Sequence, residues 1–318
     1  MTRPIVTVTL NPAIDQTVML DQLQPGAVNV ARSSQINAGG KGVNVASCLA
    51  DWEIPVIATG ILGRDNATAF EQLFADKGIN DRFVRHGGAT RVNIKLVDGS
   101  DHSTTDVNLP AQPVARATFD ALLQQLDDLA EPGRCFVLAG SLPAGLADDC
   151  YAVLIGRLRQ HGAHVVLDSS GAALSAALAD GVATLPACIK PNRHELEQLV
   201  GRELATLDEV SEEVARLRAR GIAEVVVSLG EDGALFAGNE GFWLARPPKV
   251  ALTSTVGAGD ALVAGLIAAR YGGRSAPDAA RLAVAFAAGK LAQVGPHLPA
   301  AAEVEALAAR VDLAQLDA

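Results

Sequence analysis

Short apolar runs rich in β-branched residues recur at 56–62, 135–139, 164–167 and 223–229, each ending in small or polar residues. Runs of that length and makeup are strands covered on both faces, as in a parallel sheet. Between them, at 118–129, 146–158 and 207–217, apolar residues return with helical spacing. Strand, helix and strand, repeated along most of the chain, imply an α/β fold: a doubly wound, mainly parallel sheet with helices on both sides.

Two stretches depart from that rhythm. Arg91-Val92-Asn93-Ile94-Lys95-Leu96-Val97 alternates polar and apolar, and Val28-Asn29-Val30 hints at the same pattern. Strands of this kind have one face covered and one open. They are expected to form a small antiparallel β lid, in segments of roughly 13–37 and 89–109, inserted in a single domain over residues 1–318. No Pro/Gly-rich linker marks the joins, and no internal repeat is present.

Charge and cysteine usage narrow the partners. A formal net charge of -10 repels a phosphate backbone, and Lys and Arg are scattered, which argues against nucleic acid as a partner. An anionic small molecule remains compatible, because a few cations and backbone N–H groups in a cleft outweigh a negative exterior locally. Cys48, Cys135, Cys150 and Cys188 form no C-x-x-C pair, so neither a zinc site nor a disulfide framework is suggested, and a reduced cytoplasmic setting fits. The chain opens on Ile5-Val6-Thr7-Val8-Thr9-Leu10 instead of a basic and then apolar leader. No apolar run reaches about 18 residues, so neither export nor a membrane span is expected.

In an open parallel sheet, ligands sit beyond the carboxyl ends of the strands. Those positions hold Asn11 and Asp15, Gly140 and Ser141, Lys190 and Asn192, and Ser228 and Gly230. The most specific motif is Ser254-Thr255-Val256-Gly257-Ala258-Gly259-Asp260, which runs straight into the apolar helical stretch Ala261-Leu262-Val263-Ala264-Gly265-Leu266-Ile267. Glycines let the backbone approach a ligand, and a helix start leaves N–H groups without intrahelical partners. Amides of Gly257, Ala258 and Gly259 would thus form an anion hole for a phosphoryl group in transfer, with Asp260 placed to accept a proton from an alcohol. On spacing alone, Asp260 reads equally well as a helix-capping carboxylate beside a tight turn.

A second glycine-rich segment, Asn37-Ala38-Gly39-Gly40-Lys41-Gly42-Val43-Asn44-Val45-Ala46, also enters a helix. It matches neither the P-loop, since no Ser or Thr follows Lys41, nor G-x-G-x-x-G. Its glycines would let a polyol lie against backbone, and Asn44 both donates and accepts.

Together, Gly39-Gly40-Lys41-Gly42-Val43-Asn44-Val45-Ala46 and Ser254-Thr255-Val256-Gly257-Ala258-Gly259-Asp260 resemble the N- and C-terminal signatures of the PfkB (ribokinase-like) carbohydrate kinases. Gly140-Ser141-Leu142-Pro143, Lys190-Pro191-Asn192-Arg193-His194-Glu195 and Ser228-Leu229-Gly230-Glu231-Asp232-Gly233 resemble further landmarks, so the likeness runs through the chain. It implies ATP and Mg²⁺, with Asp260 as base and Gly257, Ala258 and Gly259 as anion hole. Asp15, Gly39, Gly40, Lys41, Asn44 and Ser141 would meet the sugar. Lys190, Asn192, Ser228, Gly230, Asp232, Gly233 and Thr255 would meet the nucleotide. Asn192 and Glu195 match the family's N-x-x-E element, associated with Mg²⁺ through water. Hard Mg²⁺ keeps several waters and needs few carboxylates. On local sequence alone, Glu195 is equally a first-turn carboxylate and Asp15 equally a turn residue.

The lid segment Thr90-Arg91-Val92-Asn93-Ile94-Lys95-Leu96 with Thr105-Asp106-Val107-Asn108 resembles the branch of that family acting on fructose 1-phosphate. On an alternating strand Arg91, Asn93 and Lys95 share a face, so a guanidinium can grip a phosphate already on the sugar. Asn108 belongs to the same lid signature. Transfer to the C6 hydroxyl to give fructose 1,6-bisphosphate is the expected reaction. Tagatose 6-phosphate or fructose 6-phosphate is the alternative acceptor, and a non-catalytic sugar-phosphate sensor the alternative of another class. A dinucleotide oxidoreductase would need a glycine fingerprint that is missing. Exposed lid edges would allow a homodimer.

Overall fold

The computed structural model describes residues 3–316 apart from 102, 252–255, 294 and 296. In chain order the strands are β1 (Ile5–Thr9), β2 (Ala13–Leu20), β3 (Ala31–Gly39), β4 (Val56–Gly63), β5 (Asn80–Asp81), β6 (Val84–His86), β7 (Val92–Asp98), β8 (Thr104–Asn108), β9 (Cys135–Ala139), β10 (His164–Asp168), β11 (Cys188–Ile189), β12 (Glu224–Ser228), β13 (Ala234–Gly238), β14 (Gly241–Arg246) and β15 (Asp312–Leu316). The helices are α1 (Lys41–Asp51), α2 (Thr68–Lys77), α3 (Arg116–Leu129), α4 (Cys150–Gln160), α5 (Gly171–Ala177), α6 (Arg193–Val200), α7 (Leu207–Ala219), α8 (Ala258–Tyr271), α9 (Ala276–Leu291) and α10 (Ala301–Ala308).

The main sheet runs β15-β14-β13-β12-β11-β10-β9-β1-β4-β5, with β6 also paired to β4. From β12 to β4 every pairing is parallel, while β13, β14 and β15 add an antiparallel edge. The alternation of strand side chains divides the strands between two cores. In β9, Phe136 and Leu138 face the core built with α3 to α7, whereas Val137 and Ala139 face the one built with α1, α2, α8, α9 and α10. Both faces are therefore covered, as the continuous apolar runs require.

A second, four-stranded sheet has the order β3-β2-β7-β8. Its two antiparallel pairs, β2 with β3 and β7 with β8, are joined by a parallel pairing of β2 with β7. The expected strand at Val28–Val30 does not form. Asn29 folds back there, accepting at Oδ1 from the Gln24 amide (2.8 Å) and donating to the Gln24 and Ala27 carbonyls, so residues 28–30 are an irregular stretch that caps the preceding turn and β3 begins at Ala31. Helix α4 likewise starts later than its apolar spacing suggests, because Gly145 turns the chain at a left-handed φ of 87°.

One close contact sets the geometry of the site. A Cβ on Gly265 of α8 would lie 2.7 Å from the Ala283 Cα and 2.9 Å from the Phe286 Cβ of α9. The two helices thus pack at backbone distance, and only glycine fits that position.

Candidate active site

The carboxyl ends of β10 and β11 bring Asp168 and Lys190 to the N-terminus of α8. Gly257 caps this helix at a left-handed φ of 80°, and the first intrahelical bond runs from the Ala261 amide to the Gly257 carbonyl. The amides of Ala258, Gly259 and Asp260 therefore have no partner within the helix. Asp260 stands in the first turn and is buried, 7% exposed. Asn44 of α1 donates from Nδ2 to its Oδ2 at 2.7 Å. Burial and the nearby charge of Asp168 push the Asp260 carboxyl up to about 6, against the Asn44 hydrogen bond and the charges of Lys41 and Lys190. A carboxylate in that range is ionised at neutral pH and still accepts a proton readily.

Asp168, at the end of β10, is fully buried and was not singled out from sequence. Its Oδ1 lies 3.1 Å from Lys41 Nζ and 3.4 Å from Lys190 Nζ, and its Oδ2 has no hydrogen-bond partner. Burial alone would lower the Lys41 ammonium, but Asp168, Asp260 and Glu195 raise it to about 12, so it stays charged. The signal for Asp168 was available, since it ends a buried strand on the same edge as Asn11 and Ser228.

Asn192 and Glu195 form a capping box on α6: Asn192 Oδ1 accepts from the Glu195 amide and Glu195 Oε2 accepts from the Asn192 amide, both at 2.8 Å. Glu195 Oε1 lies 4.0 Å from Lys41 Nζ. Asp168 and Glu195 thus meet at one ammonium, offering hard oxygens beside the helix start. Those donors fit a hydrated divalent cation, which takes its remaining ligands from water and phosphate. Lys190 is buried with its Nζ 3.6 Å from where a Cβ on Gly259 would stand. Ser228 pairs with Asn192 across an isolated bridge, and Gly230 to Asp232 form a short 3₁₀ turn after β12. A Cβ on Gly233 would strike the Ala245 carbonyl at 2.0 Å, so this turn admits only glycine there. Thr255 lies outside the described residues.

The small sheet closes the other side. Asp15 on β2 stands opposite Asn37 on β3 and Asn93 on β7, and Asn93 Nδ2 donates to Asp15 Oδ1 at 2.9 Å. Arg91 Nη1 donates to Asn93 Oδ1 at 3.1 Å, while the buried Arg91 Nε has no hydrogen-bond partner. Burial lowers the Arg91 guanidinium from its ordinary value against the pull of Asp15. Lys95 pairs with Asp106 at 3.0 Å, and Asn108 stands exposed opposite Asn93. Asp15, Asn37, Asn44, Lys95, Gly257 and Lys290 line a cavity of about 80 Å³ between this sheet and α8. Lys290 was not anticipated from sequence. Ser141 is exposed and accepts from Asn11 Nδ2 at 3.0 Å, outside that lining.

The glycines of the segment 37–46 serve the chain's own packing. A Cβ on Gly39 would meet Asp15 Oδ2 at 2.5 Å, on Gly40 the Thr9 Cγ2 at 3.0 Å, and on Gly42 the Thr9 Oγ1 at 2.4 Å. They bring α1, and with it Lys41 and Asn44, close against β1.

Comparison with known proteins points one way. A family model described as pfkB family carbohydrate kinase matches residues 8–302. A 1-phosphofructokinase of Xanthomonas campestris is 49% identical over 287 residues, covering 90% of each chain. One of Rhodobacter capsulatus is 45% identical over 317 residues, covering 99% of each. Among solved structures, phosphofructokinase-2 from Escherichia coli in complex with substrates and products superposes with a TM-score of 0.89 at 30% identity, covering 97% of this chain and 99% of that one.

Proposed function

We propose, from the premise that the chain belongs to the pfkB family of carbohydrate kinases, that it transfers the γ-phosphoryl of ATP to the C6 hydroxyl of fructose 1-phosphate. A kinase of this family uses ATP. The choice of fructose 1-phosphate is supported by the names of its relatives and by Arg91, a half-buried guanidinium that forms no ion pair among the described residues. The observation that carries the chemistry is Asp260: a buried carboxylate, raised to about 6, held by Asn44 at the opening of α8.

Each residue then has a task. Arg91, steadied by Asn93, grips the phosphate already on the sugar bidentately. Asp15 and Asn44 orient the hydroxyls so that C6–OH points at α8. Asp260 takes the hydroxyl proton as the oxygen attacks in line. Charge growing on the transferred group meets the amides of Gly257, Ala258 and Gly259 and the ammonium groups of Lys41 and Lys190. Asp168, Glu195 and Asn192 would hold Mg²⁺, which neutralises phosphate oxygens when bound. The small sheet acts as the lid of one kinase domain, excluding water from the phosphoryl group. Its outer strands expose Ile36 and Val107, the face on which two copies would pair. Four free cysteines, and the absence of any described helix long and apolar enough to cross a membrane, support a cytoplasmic site of action.

The test is ADP release from ATP and Mg²⁺ with fructose 1-phosphate, fructose 6-phosphate, tagatose 6-phosphate and fructose side by side. The highest kcat/KM is expected for fructose 1-phosphate; a higher value with either 6-phosphate would reassign the substrate. Arg91→Ala is expected to raise KM for the sugar phosphate about tenfold or more with little change for ATP, and an equal rise in both would remove Arg91 from that role.

A further inference from the structure

Lys290 is a buried lysine with no salt bridge to a carboxylate among the described residues. It is 4% exposed near the end of α9, and its one hydrogen bond among the described residues runs from Nζ to the Gln293 carbonyl at a long 3.3 Å. Lys41 and Lys190 share Asp168, Lys77 pairs with Asp51, and Lys95 pairs with Asp106. Lys290 forms no ion pair among the described residues, although a buried ammonium is costly unless paired. Its surroundings show where a partner would come from. The Cβ position of Gly257 lies 3.4 Å from Lys290 Cε, 3.8 Å from Asn44 Nδ2 and 3.9 Å from Asp260 Oδ2. The lysine stem therefore reaches the cap of α8, and the side chain lines the cavity shared with Asp15 and Gly257.

We infer that Lys290 is a positioning residue for phosphoryl transfer: its ammonium, set behind the Gly257 turn, counterbalances the anion lodged at the start of α8 and holds Gly257 and Asp260 in register with it. The close contact at Gly265 is what makes this reach available, since it lays α9 against the α8 backbone and brings Lys290, about two turns past Ala283, to the cap. Burial lowers the ammonium from its ordinary value, while the nearby carboxylate of Asp260 favours it, as for a group whose full complement of negative charge arrives with the reactants. The inference rests on phosphoryl transfer at α8 and not on which sugar phosphate is accepted.

The experiment is Lys290→Met, which keeps the length and volume of the stem and deletes the charge. The expected result is a kcat about tenfold lower or more, KM values for ATP and sugar phosphate within about threefold, and a Tm unchanged or higher because an unpaired buried charge is gone. Lys290→Ala provides the second arm: methylammonium chloride restores part of its kcat, and sodium chloride at equal ionic strength does not. A Lys290→Met kcat within about twofold of wild type overturns the inference. So does a Lys290→Ala rate that follows a fall in Tm and is not restored by methylammonium, which marks a packing role only. Wild type is the control that separates the two readings. If it releases no ADP with any acceptor, phosphoryl transfer itself fails, whereas activity insensitive to Lys290 removes only this residue.

Discussion

Helices α7 and α8 both carry an acidic residue at the third helical position, and the two carboxylates are shifted in opposite directions. In α7, Glu209 folds back to accept from the Thr206 amide at 3.0 Å while the Thr206 hydroxyl accepts from the Glu209 amide at 3.2 Å. That backbone hydrogen bond holds Glu209 below the usual carboxylate range. In α8 the cap is Gly257, which has no side chain to close the helix start, and Asp260 turns instead to Asn44. Burial then drives Asp260 up to about 6. The same sequence position is structural where the helix closes itself and, on the proposed mechanism, chemical where the cap carries no side chain.

The two shifts also carry opposite signs in stability. Glu209 holds its proton less tightly folded than unfolded, so its contribution is present above its ordinary range and is lost as pH falls through its lowered value. Asp260 holds its proton more tightly folded, so its contribution is present below the ordinary carboxylate range and is lost as pH rises through about 6.

The comparison is tested most severely by neutralising each carboxylate. Asp260→Asn is expected to lower kcat by about 10² or more with KM largely kept, whereas Glu209→Gln leaves kcat unchanged; steady-state ADP release reads both. A similar kcat loss in the two variants would erase the distinction. Asn44→Leu removes the hydrogen bond that favours the ionised form of Asp260. Near pH 6, kcat/KM should fall by about tenfold, with a smaller loss at pH 8, and a pH-independent loss would mean that Asn44 acts on the sugar alone. The smallest effect is at the closed end. Thr206→Ala is expected to cost about 1 kcal/mol in denaturant unfolding, with kcat untouched.

Much of this architecture was legible because the strands of a parallel sheet announce themselves as continuous apolar runs. The antiparallel edge was not, since Ala234–Gly238 is as buried as its parallel neighbour Glu224–Ser228 and reads alike. Val28–Val30 failed for a local reason: one asparagine satisfied the backbone of a turn that periodicity cannot register. At the site, Asp260, Asn44, Lys41 and Lys190 were marked by motifs at strand ends and helix starts. Lys290 carries no such mark. It sits in an alanine-rich helix, and only the approach of α9 at Gly265 turns it into a neighbour of Gly257. Asn192 and Glu195 show the converse, because a motif associated with metal is also a complete helix cap.

The most direct measurement is the pH dependence of kcat/KM for ATP-dependent phosphorylation of fructose 1-phosphate in wild type and in Asp260→Asn. Below about 6 the Asp260 carboxyl holds its proton and has nothing with which to accept one from the sugar. Wild type should therefore lose about tenfold per pH unit on the acid side, and the residual rate of Asp260→Asn should lack that limb, which separates it from ionisation of the sugar phosphate itself. An acid limb of the same midpoint in both proteins, or a wild-type profile flat to pH 5, would contradict the claim that the open start of α8 holds the catalytic base.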